Sequence, residues 1–271
     1  MNLKITFCGL FIWLLSSQLL AQPTAIIGAM DEEIALLQEN MENPSEETIA
    51  GIRFIRGTLQ NRPVIVVKSG IGKVNATITT TLLLHHFQPS EVIFTGIAGG
   101  IHPELHIGDI VIARKTAQHD FGQVTDEGRQ VWETWQLVKD NKNPLFFPGD
   151  ARLLKFAKSA DVDLEAVAVS EHQAAPEPKV VVGTIVTGDV FVASRAMKEE
   201  LRMQFDADAV EMEGAAVAQV CYQWKVPCLI IRSISDGADE AAGVNFQEFA
   251  AVAARNAALL VVAVVKQLGD N

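Results

Sequence analysis

Short apolar segments rich in β-branched residues recur along the chain. They span residues 24–30, 63–70, 91–100, 108–117, 180–189 and 226–236. Several of them are apolar without interruption, which is typical of strands that are covered on both faces of a sheet. The pattern therefore predicts a series of buried strands.

Segments with helical spacing of their apolar residues lie between these strands. They span residues 31–41, 74–87, 150–160, 194–205 and 214–224, and a long one spans residues 246–268. This alternation predicts an α/β fold, with a central twisted mixed sheet, largely parallel, flanked by helices. No linker rich in Pro, Gly or Ser divides residues 22–271, so we predict one domain.

The first 21 residues form a separate segment. Lys4 supplies a positive charge, an apolar stretch runs from Ile5 to Leu20, and Ala21 suits the position before a cleavage site. This order is typical of a secretory signal peptide, and an uncleaved membrane anchor is the alternative. We expect the mature chain to be exported without a membrane anchor, and to reach the periplasm if the source is a Gram-negative bacterium.

Composition narrows the possible partners. The chain has 271 residues, 49% of them hydrophobic, and a formal net charge of -11. Binding of nucleic acid needs clustered Lys and Arg to neutralise phosphates, and the sequence has no such cluster. Cys221 and Cys228 could form a bridge in an oxidising compartment, but they fall at a predicted helix end and strand start, so we expect buried thiols. Their spacing does not suit a metal site.

Acidic residues follow several of the predicted strands. In open α/β sheets, ligands bind beyond the carboxyl ends of the strands, so side chains at these ends can share a site. Glu33, Glu213 and Asp236 are the main candidates. Each also has a structural alternative, because an acid in the first turn or at the N-cap stabilises a helix. We assign that alternative to Asp31 and Glu32.

Seven motifs together resemble one known family. In chain order they are IIGAMDEEIALL, SGIGKVNA, TGIAGG, GDIVIA, TGDVFV, VEMEGAAVAQVC and RSISDGAD. Over most of residues 24–265 the chain is similar to the 5′-methylthioadenosine/S-adenosylhomocysteine nucleosidases, members of the nucleoside phosphorylase and nucleosidase superfamily. The resemblance implies hydrolysis of the N-glycosidic bond of an adenine nucleoside, without a cofactor or metal, by a homodimer.

The resemblance also implies chemical roles for three acids. Asp236, beside Ser235, matches the acid that protonates the purine at N7, so that the base leaves as a neutral molecule. Glu213 matches the acid that accepts hydrogen bonds from the ribose hydroxyls and stabilises the developing positive charge. Glu33 matches the residue that positions and deprotonates the attacking water. A protonated Asp236 requires a partly buried site that raises its pKa.

The other predicted substrate-binding residues shape the pocket. Besides Glu213 and Ser235, they are Met30, Ala98, Gly99, Phe191, Val192, Glu211, Met212 and Phe246. By resemblance, Phe191 and Val192 contact the purine, Met212 packs on the ribose, and Phe246 is a lid residue. Ala98 and Gly99 present backbone that approaches the ligand closely, and Glu211 is interpreted as structural.

Two other functions remain open. A phosphorylase of the same superfamily would need Arg for phosphate in the N-terminal glycine loop and before the GxxG strand end. Those places hold MDEE and VIFTG, and carboxylates repel phosphate, so hydrolysis is favoured. Lys73 and Arg232 are the remaining basic candidates, and we interpret them as a helix-dipole partner and an internal ion pair. An exported, non-catalytic nucleoside-binding or storage protein is the second alternative.

Residues 121–150 depart from the family pattern. His119 and Asp120 keep the usual HD pair, but the stretch that follows shows no clear periodicity and contains Trp132 and Trp135. We predict a long excursion at the rim of the sheet. Because the corresponding loop of the family contacts the 5′-substituent, methylthio, homocysteinyl, deoxy and futalosine-type groups all remain open.

Overall fold

The computed structural model describes residues 22–138, 140–168 and 175–269. The predicted leader, residues 1–21, lies outside these ranges. The strands are β1 (Thr24–Gly28), β2 (Glu42–Ile49), β3 (Ile52–Leu59), β4 (Arg62–Lys68), β5 (Glu91–Phe94), β6 (Ile97–Gly100), β7 (Ile110–Gln118), β8 (Gly122–Thr125), β9 (Gly128–Val131), β10 (Phe147–Pro148), β11 (Val180–Thr187), β12 (Ala209–Glu211) and β13 (Cys228–Asp236). The helices are α1 (Asp31–Glu39), α2 (Lys73–Phe87), α3 (Ala151–Ser159), α4 (Arg195–Phe205), α5 (Gly214–Trp224) and α6 (Ala242–Gly269).

The main sheet is mixed. Within the described ranges its strand order is β10-β7-β11-β12-β6-β13-β5-β1-β4-β3-β2, and β8 and β9 form a separate hairpin. β1 lies parallel to β4 and β5, and β13 lies parallel to β5 and β6, whereas β2, β3 and β4 are antiparallel. The predicted fold class, a mixed sheet flanked by helices, is confirmed.

One half of the sheet closes on itself. β7 pairs in parallel with β11 and antiparallel with β13, so β7, β11, β12, β6 and β13 form a ring. Gly99 of β6 lies between β12 and β13, opposite Val210 on β12 and Asp236 on β13. A β-carbon at Gly99 would lie 2.9 Å from Oδ1 of Asp236, so only glycine lets the strands approach this closely.

Helices cover the sheet on both faces. Leu37 of α1, Leu153 of α3 and Val261 of α6 belong to one buried apolar layer. α2 and α5 pack together in the other layer, which also contains Cys221 and Cys228. Both cysteines are buried free thiols, as predicted.

The C-terminal helix is unusually apolar. By length and composition α6 is the one helix in the described ranges that could cross a membrane, but 56% of its most apolar window is buried inside the fold. It packs against β13, α1 and α3. These contacts are those of a central core helix.

Three parts of the strand prediction differ from the structure. β2 and β3 were not predicted. The sequence of β2, ENPSEETI, is polar and exposed at the sheet edge, where apolar periodicity is not needed. The sequence of β3, IRFIRGTL, buries two adjacent residues, Phe54 and Ile55, and so does not alternate strictly. Residues 91–100 form two strands, β5 and β6, separated at Gly96, whose φ is +158°. β12 has only three residues and is too short to show a period.

Candidate active site

A cavity opens where β1, β12 and β13 end. Its empty volume is about 520 Å³. It is lined by Ala29, Met30, Glu33, Ile71, Ile97, Ala98, Gly99, Phe191, Val210, Glu211, Met212, Glu213, Ser235, Asp236 and Phe246. Every predicted site residue except Val192 lies on its wall, and Val192 lines a smaller adjoining space. The sequence did not identify Ala29, Ile71, Ile97 or Val210, although the strand-end rule applies to Ala29, which follows β1, and to Ile71, which follows β4.

Glu33 enters the cavity from the first turn of α1. Its side chain is buried, and its carboxylate accepts hydrogen bonds from three backbone amides: Ala29 and Met30 (3.1 Å) on Oε2, and Ile97 (3.0 Å) on Oε1. Burial raises the pKa of Glu33, and the positive charge of Arg232 and the three amides partly offset that effect. The result is a fixed carboxylate of increased basicity, which suits removal of a proton from water.

Glycines make room for this carboxylate. A β-carbon at Gly96, between β5 and β6, would lie 2.5 Å from Oε1 of Glu33. The adjacent acids Asp31 and Glu32 point to solvent in the first turn of α1, and Asp31 forms an ion pair with Lys68 at 2.7 Å. Their predicted structural role is confirmed.

Asp236 is the last residue of β13. Its side chain is buried; Oδ2 accepts from Oγ of Ser235 at 2.8 Å and Oδ1 accepts from the amide of Ala238 at 2.9 Å. Burial raises the pKa of Asp236, while these two donors lower it. The carboxyl therefore also fixes the turn that follows β13, but its environment favours the protonated form that a general acid needs.

Glu213 occupies the N-cap position of α5 without capping the helix through its side chain. It is buried, and its Oε1 accepts a hydrogen bond from the amide of Gly72 at 2.7 Å. Burial and the nearby charge of Glu211 raise the pKa of Glu213 to about 8, against the opposing effects of Arg232 and the Gly72 amide. Hydroxyl donors from a ligand would stabilise the ionised form and release this proton.

The rest of the wall is mostly apolar. Phe191, which is half exposed, and Phe246 form an edge-to-face pair with ring centroids 5.7 Å apart. Met30, Ile71 and Met212 add flexible apolar surface. A flat aromatic base and an apolar substituent would both find contacts here, while the carboxylates supply the polar contacts.

Comparison with known proteins identifies the family. The family model described as the phosphorylase superfamily matches residues 23–266. The 5′-methylthioadenosine/S-adenosylhomocysteine nucleosidase of Shewanella halifaxensis is 43% identical over 244 residues, which covers 90% of this chain and 98% of that protein. The chain belongs to this nucleosidase family, within the phosphorylase superfamily.

Solved structures agree with this assignment. The nucleosidase of Neisseria meningitidis, in complex with methylthio-immucillin-A, is 38% identical with a TM-score of 0.77, covering 91% of this chain and 99% of that chain. The futalosine hydrolase of Helicobacter pylori is 35% identical with a TM-score of 0.75, covering 91% and 98%. Relatives named for different nucleosides share this fold, so the fold alone does not select the 5′-substituent.

Glu211, on the cavity wall, and Arg232, buried outside the cavity, form an internal ion pair. Arg232 donates to Oε2 of Glu211 at 2.7 Å, and the same oxygen accepts the amides of Glu213 (3.1 Å) and Gly214 (2.7 Å), while Oε1 accepts from Thr187. Glu211 therefore caps α5 and neutralises a fully buried guanidinium. The internal ion pair predicted for Arg232 is confirmed, and the contacts of Glu211 are those of a structural residue.

The interpretation of Lys73 was wrong. Lys73 is the first residue of α2, where the helix dipole disfavours a cation. Its Nζ instead donates to Asp120 at 2.6 Å and to Gln118 at 3.1 Å. The ammonium of Lys73 therefore forms an ion pair with Asp120, and Lys73 does not line the cavity.

The excursion predicted for residues 121–150 contains the β8–β9 hairpin and β10. It packs against the rest of the chain, through Arg129 to Glu200 on α4 (2.9 Å) and through Thr134 to Gln219 on α5 (3.4 Å). None of its described residues (121–138 and 140–150) lines the cavity of this chain.

Proposed function

We propose that this chain hydrolyses the N-glycosidic bond of a 5′-modified adenosine, releasing adenine and the 5′-modified ribose. The observation that carries the proposal is the convergence of Glu33, Glu213 and Asp236, from distant parts of the sequence, on one buried cavity. The family's nucleosidase relatives support it.

Each acid has one part in the reaction. The carboxyl of Asp236 gives its proton to N7 as the bond from N9 to C1′ breaks, and the bonding electron pair leaves with the neutral purine. Ribose hydroxyls donate to the carboxylate of Glu213, whose negative charge stabilises the oxocarbenium-like sugar. Glu33 takes a proton from a water as the water oxygen bonds to C1′.

The charges around the cavity favour water over phosphate as the nucleophile. Among the described residues that line the cavity, the ionisable side chains are all acids: Glu33, Glu211, Glu213 and Asp236. Arg232 does not line the cavity, and its guanidinium donates hydrogen bonds to Glu211 and to the carbonyls of Phe94 and Ile231. A phosphate dianion would meet repulsion here and few free donors.

Adenine release from 5′-methylthioadenosine, measured with and without inorganic phosphate, tests the function. We expect the same rate in both conditions and free 5-methylthioribose as the second product. A strict requirement for phosphate, with a ribose 1-phosphate product, would establish the phosphorylase instead. Binding of the nucleoside without adenine release would establish the storage protein.

We also propose that the chain acts as a homodimer. Val74 and Ile78, one turn apart on α2, and Leu137 and Trp224 are exposed and line one shallow apolar depression of about 1260 Å³. A second copy covering this face would bring an excursion over residues 121–150 close to the neighbouring site. The 5′-substituent would then be selected by the partner's excursion, which fits its absence from the cavity of its own subunit.

Ile78→Glu tests the dimer. We expect the wild-type protein to sediment with the mass of two chains and the variant to sediment as a monomer, because the new charge would be buried without a partner. Met203→Glu is the matched control, since Met203 is more exposed but lies on α4, away from this face. An Ile78→Glu protein that remains a dimer would place the interface elsewhere.

Export is the last part of the proposal. Residues 1–21 carry the charge, apolar run and small residue of a signal peptide, and we propose that they direct the chain out of the cytoplasm. In a Gram-negative source the destination would be the periplasm. The enzyme would then act on external nucleosides or on an unusual substrate.

A further inference from the structure

The amide of Gly72 has a specific part in the site. Among the described contacts it is the hydrogen-bond donor that reaches the carboxylate of Glu213, at 2.7 Å. The position and charge of the proposed ribose-binding acid therefore depend on where the chain enters α2. Gly72 holds this entry at φ +96°, a conformation that disfavours residues with a β-carbon.

The entry into α2 is fixed by a residue from another strand. Gly72 itself has no capping side chain, but Oδ1 of Asp189 accepts the amide of Lys73 at 2.7 Å. Asp189 follows β11 and is exposed in the single chain. It does not line the cavity, but it borders the depression that we propose as the dimer face, so the variants of Asp189 should be checked to sediment like the wild type. Asp189 acts as an N-cap supplied from elsewhere in the fold, one peptide away from the amide that holds Glu213.

Asp120 holds Asp189 in turn. Its Oδ2 accepts the backbone amide of Asp189 at 2.8 Å, and its Oδ1 accepts the ammonium of Lys73 at 2.6 Å. The ends of β7 and β11 can approach this closely because Gly188 has no side chain: a β-carbon there would lie 2.4 Å from the ring of the buried His119. The contacts thus run continuously from Asp120 through Asp189 and Lys73 to Gly72.

We propose that Asp189 is a positioning residue for Glu213: its carboxylate fixes the Gly72–Lys73 peptides so that the Gly72 amide orients the ribose-binding carboxylate. The inference rests on the proposed function, in which Glu213 binds the sugar. It predicts an effect on the sugar half of the substrate alone. If Asp189 only stabilised α2, its removal would lower the melting temperature and would not affect the nucleoside more than free adenine.

The test compares Asp189→Ala with Asp189→Asn. Alanine removes the acceptor, whereas the asparagine oxygen can still accept the Lys73 amide, so the asparagine variant controls for the lost charge. We expect Asp189→Ala to lower kcat/KM for 5′-methylthioadenosine about tenfold. Asp189→Asn should recover most of this loss. Affinity for free adenine should stay at the wild-type level in both, because in the proposed function Glu213 binds the sugar and adenine has none.

The pH profile supplies a readout that a structural effect would not change. The Gly72 amide lowers the pKa of Glu213, and Glu211, Arg232 and Glu33, the other charged groups acting on it, are unaltered in both variants. Loss of the amide contact raises that pKa further. Since Glu213 acts as an anion, the rise of kcat/KM with pH should shift to higher pH in Asp189→Ala, but not in Asp189→Asn.

Each outcome decides one question. A wild-type protein without adenine release refutes the proposed function, whatever the variants do. With an active wild type, an Asp189→Ala enzyme of normal kcat/KM and pH profile refutes the positioning role. So does a variant that loses adenine and nucleoside binding equally. If Asp189→Ala does not fold, Asp120→Ala is tested instead, because Asp120 holds Asp189. We expect the pH profile of kcat/KM to shift in the same direction by a smaller amount. A pH profile like that of the wild type would also refute the positioning role.

Discussion

Asp236→Asn is expected to lower kcat for adenine release by about 10³-fold, within the range that general acid catalysis contributes. Asparagine has nearly the same shape but no proton to give to N7 of the leaving purine. Because Asp236 must be protonated to act, wild-type kcat/KM should also fall as pH rises through its raised pKa. The residual activity of the variant should lack that decline. Initial rates across pH measure both effects.

The fold should tolerate this substitution. The asparagine oxygen can accept the Ala238 amide, and its NH₂ group can donate to Oγ of Ser235, whose hydroxyl can turn to the carbonyl of Ala98. Melting temperature and adenine affinity should therefore stay near the wild-type values. Asp163→Asn, at an exposed position outside the cavity, is the charge-matched control. Near-normal turnover in Asp236→Asn would refute Asp236 as the general acid.

The position of the site could be predicted because it depends on local signals. Continuous apolar runs in the sequence predict buried parallel strands. The residues at the carboxyl ends of such strands meet at one edge of the sheet. Glu33 and Asp236 follow such runs, so their meeting at one edge follows from the sequence order, whereas Glu213 follows the three-residue β12, which is too short to show such a run. Their chemical roles came from the family resemblance, which rests on specific motifs and not on periodicity.

The details that escaped prediction depend on tertiary contacts or on single-residue boundaries. Because α2 was predicted to start at residue 74, Lys73 was placed outside the helix. The structure places it at the N-terminus of α2, where a cation is disfavoured, and pairs it with Asp120, a contact distant in sequence. Glu211 and Glu213 are two apart and would share a face in a strand. The structure separates them because β12 ends at Glu211, while Glu213 begins the next helix.

Glu33→Gln is expected to lower the rate of hydrolysis by about 10²- to 10⁴-fold, because the amide cannot take a proton from water. The substitution also has a structural cost. Three backbone amides donate to the carboxylate, and in either orientation the NH₂ group of glutamine opposes at least one of them. We expect a loss of about 1–3 kcal/mol in the free energy of unfolding, measured by urea denaturation.

Asp109→Asn separates the two effects. Asp109 is buried and likewise accepts backbone amides on both oxygens, from Lys179 at 2.9 Å and His106 at 2.8 Å, but it lies outside the cavity. Its substitution should cost similar stability while leaving turnover nearly unchanged. Glu33→Gln should still bind adenine, because in the proposed mechanism Asp236, and not Glu33, contacts the base. If Asp109→Asn lost as much activity at equal stability, or if Glu33→Gln failed to bind adenine, Glu33 would be a helix-fixing residue, and the water would need another base.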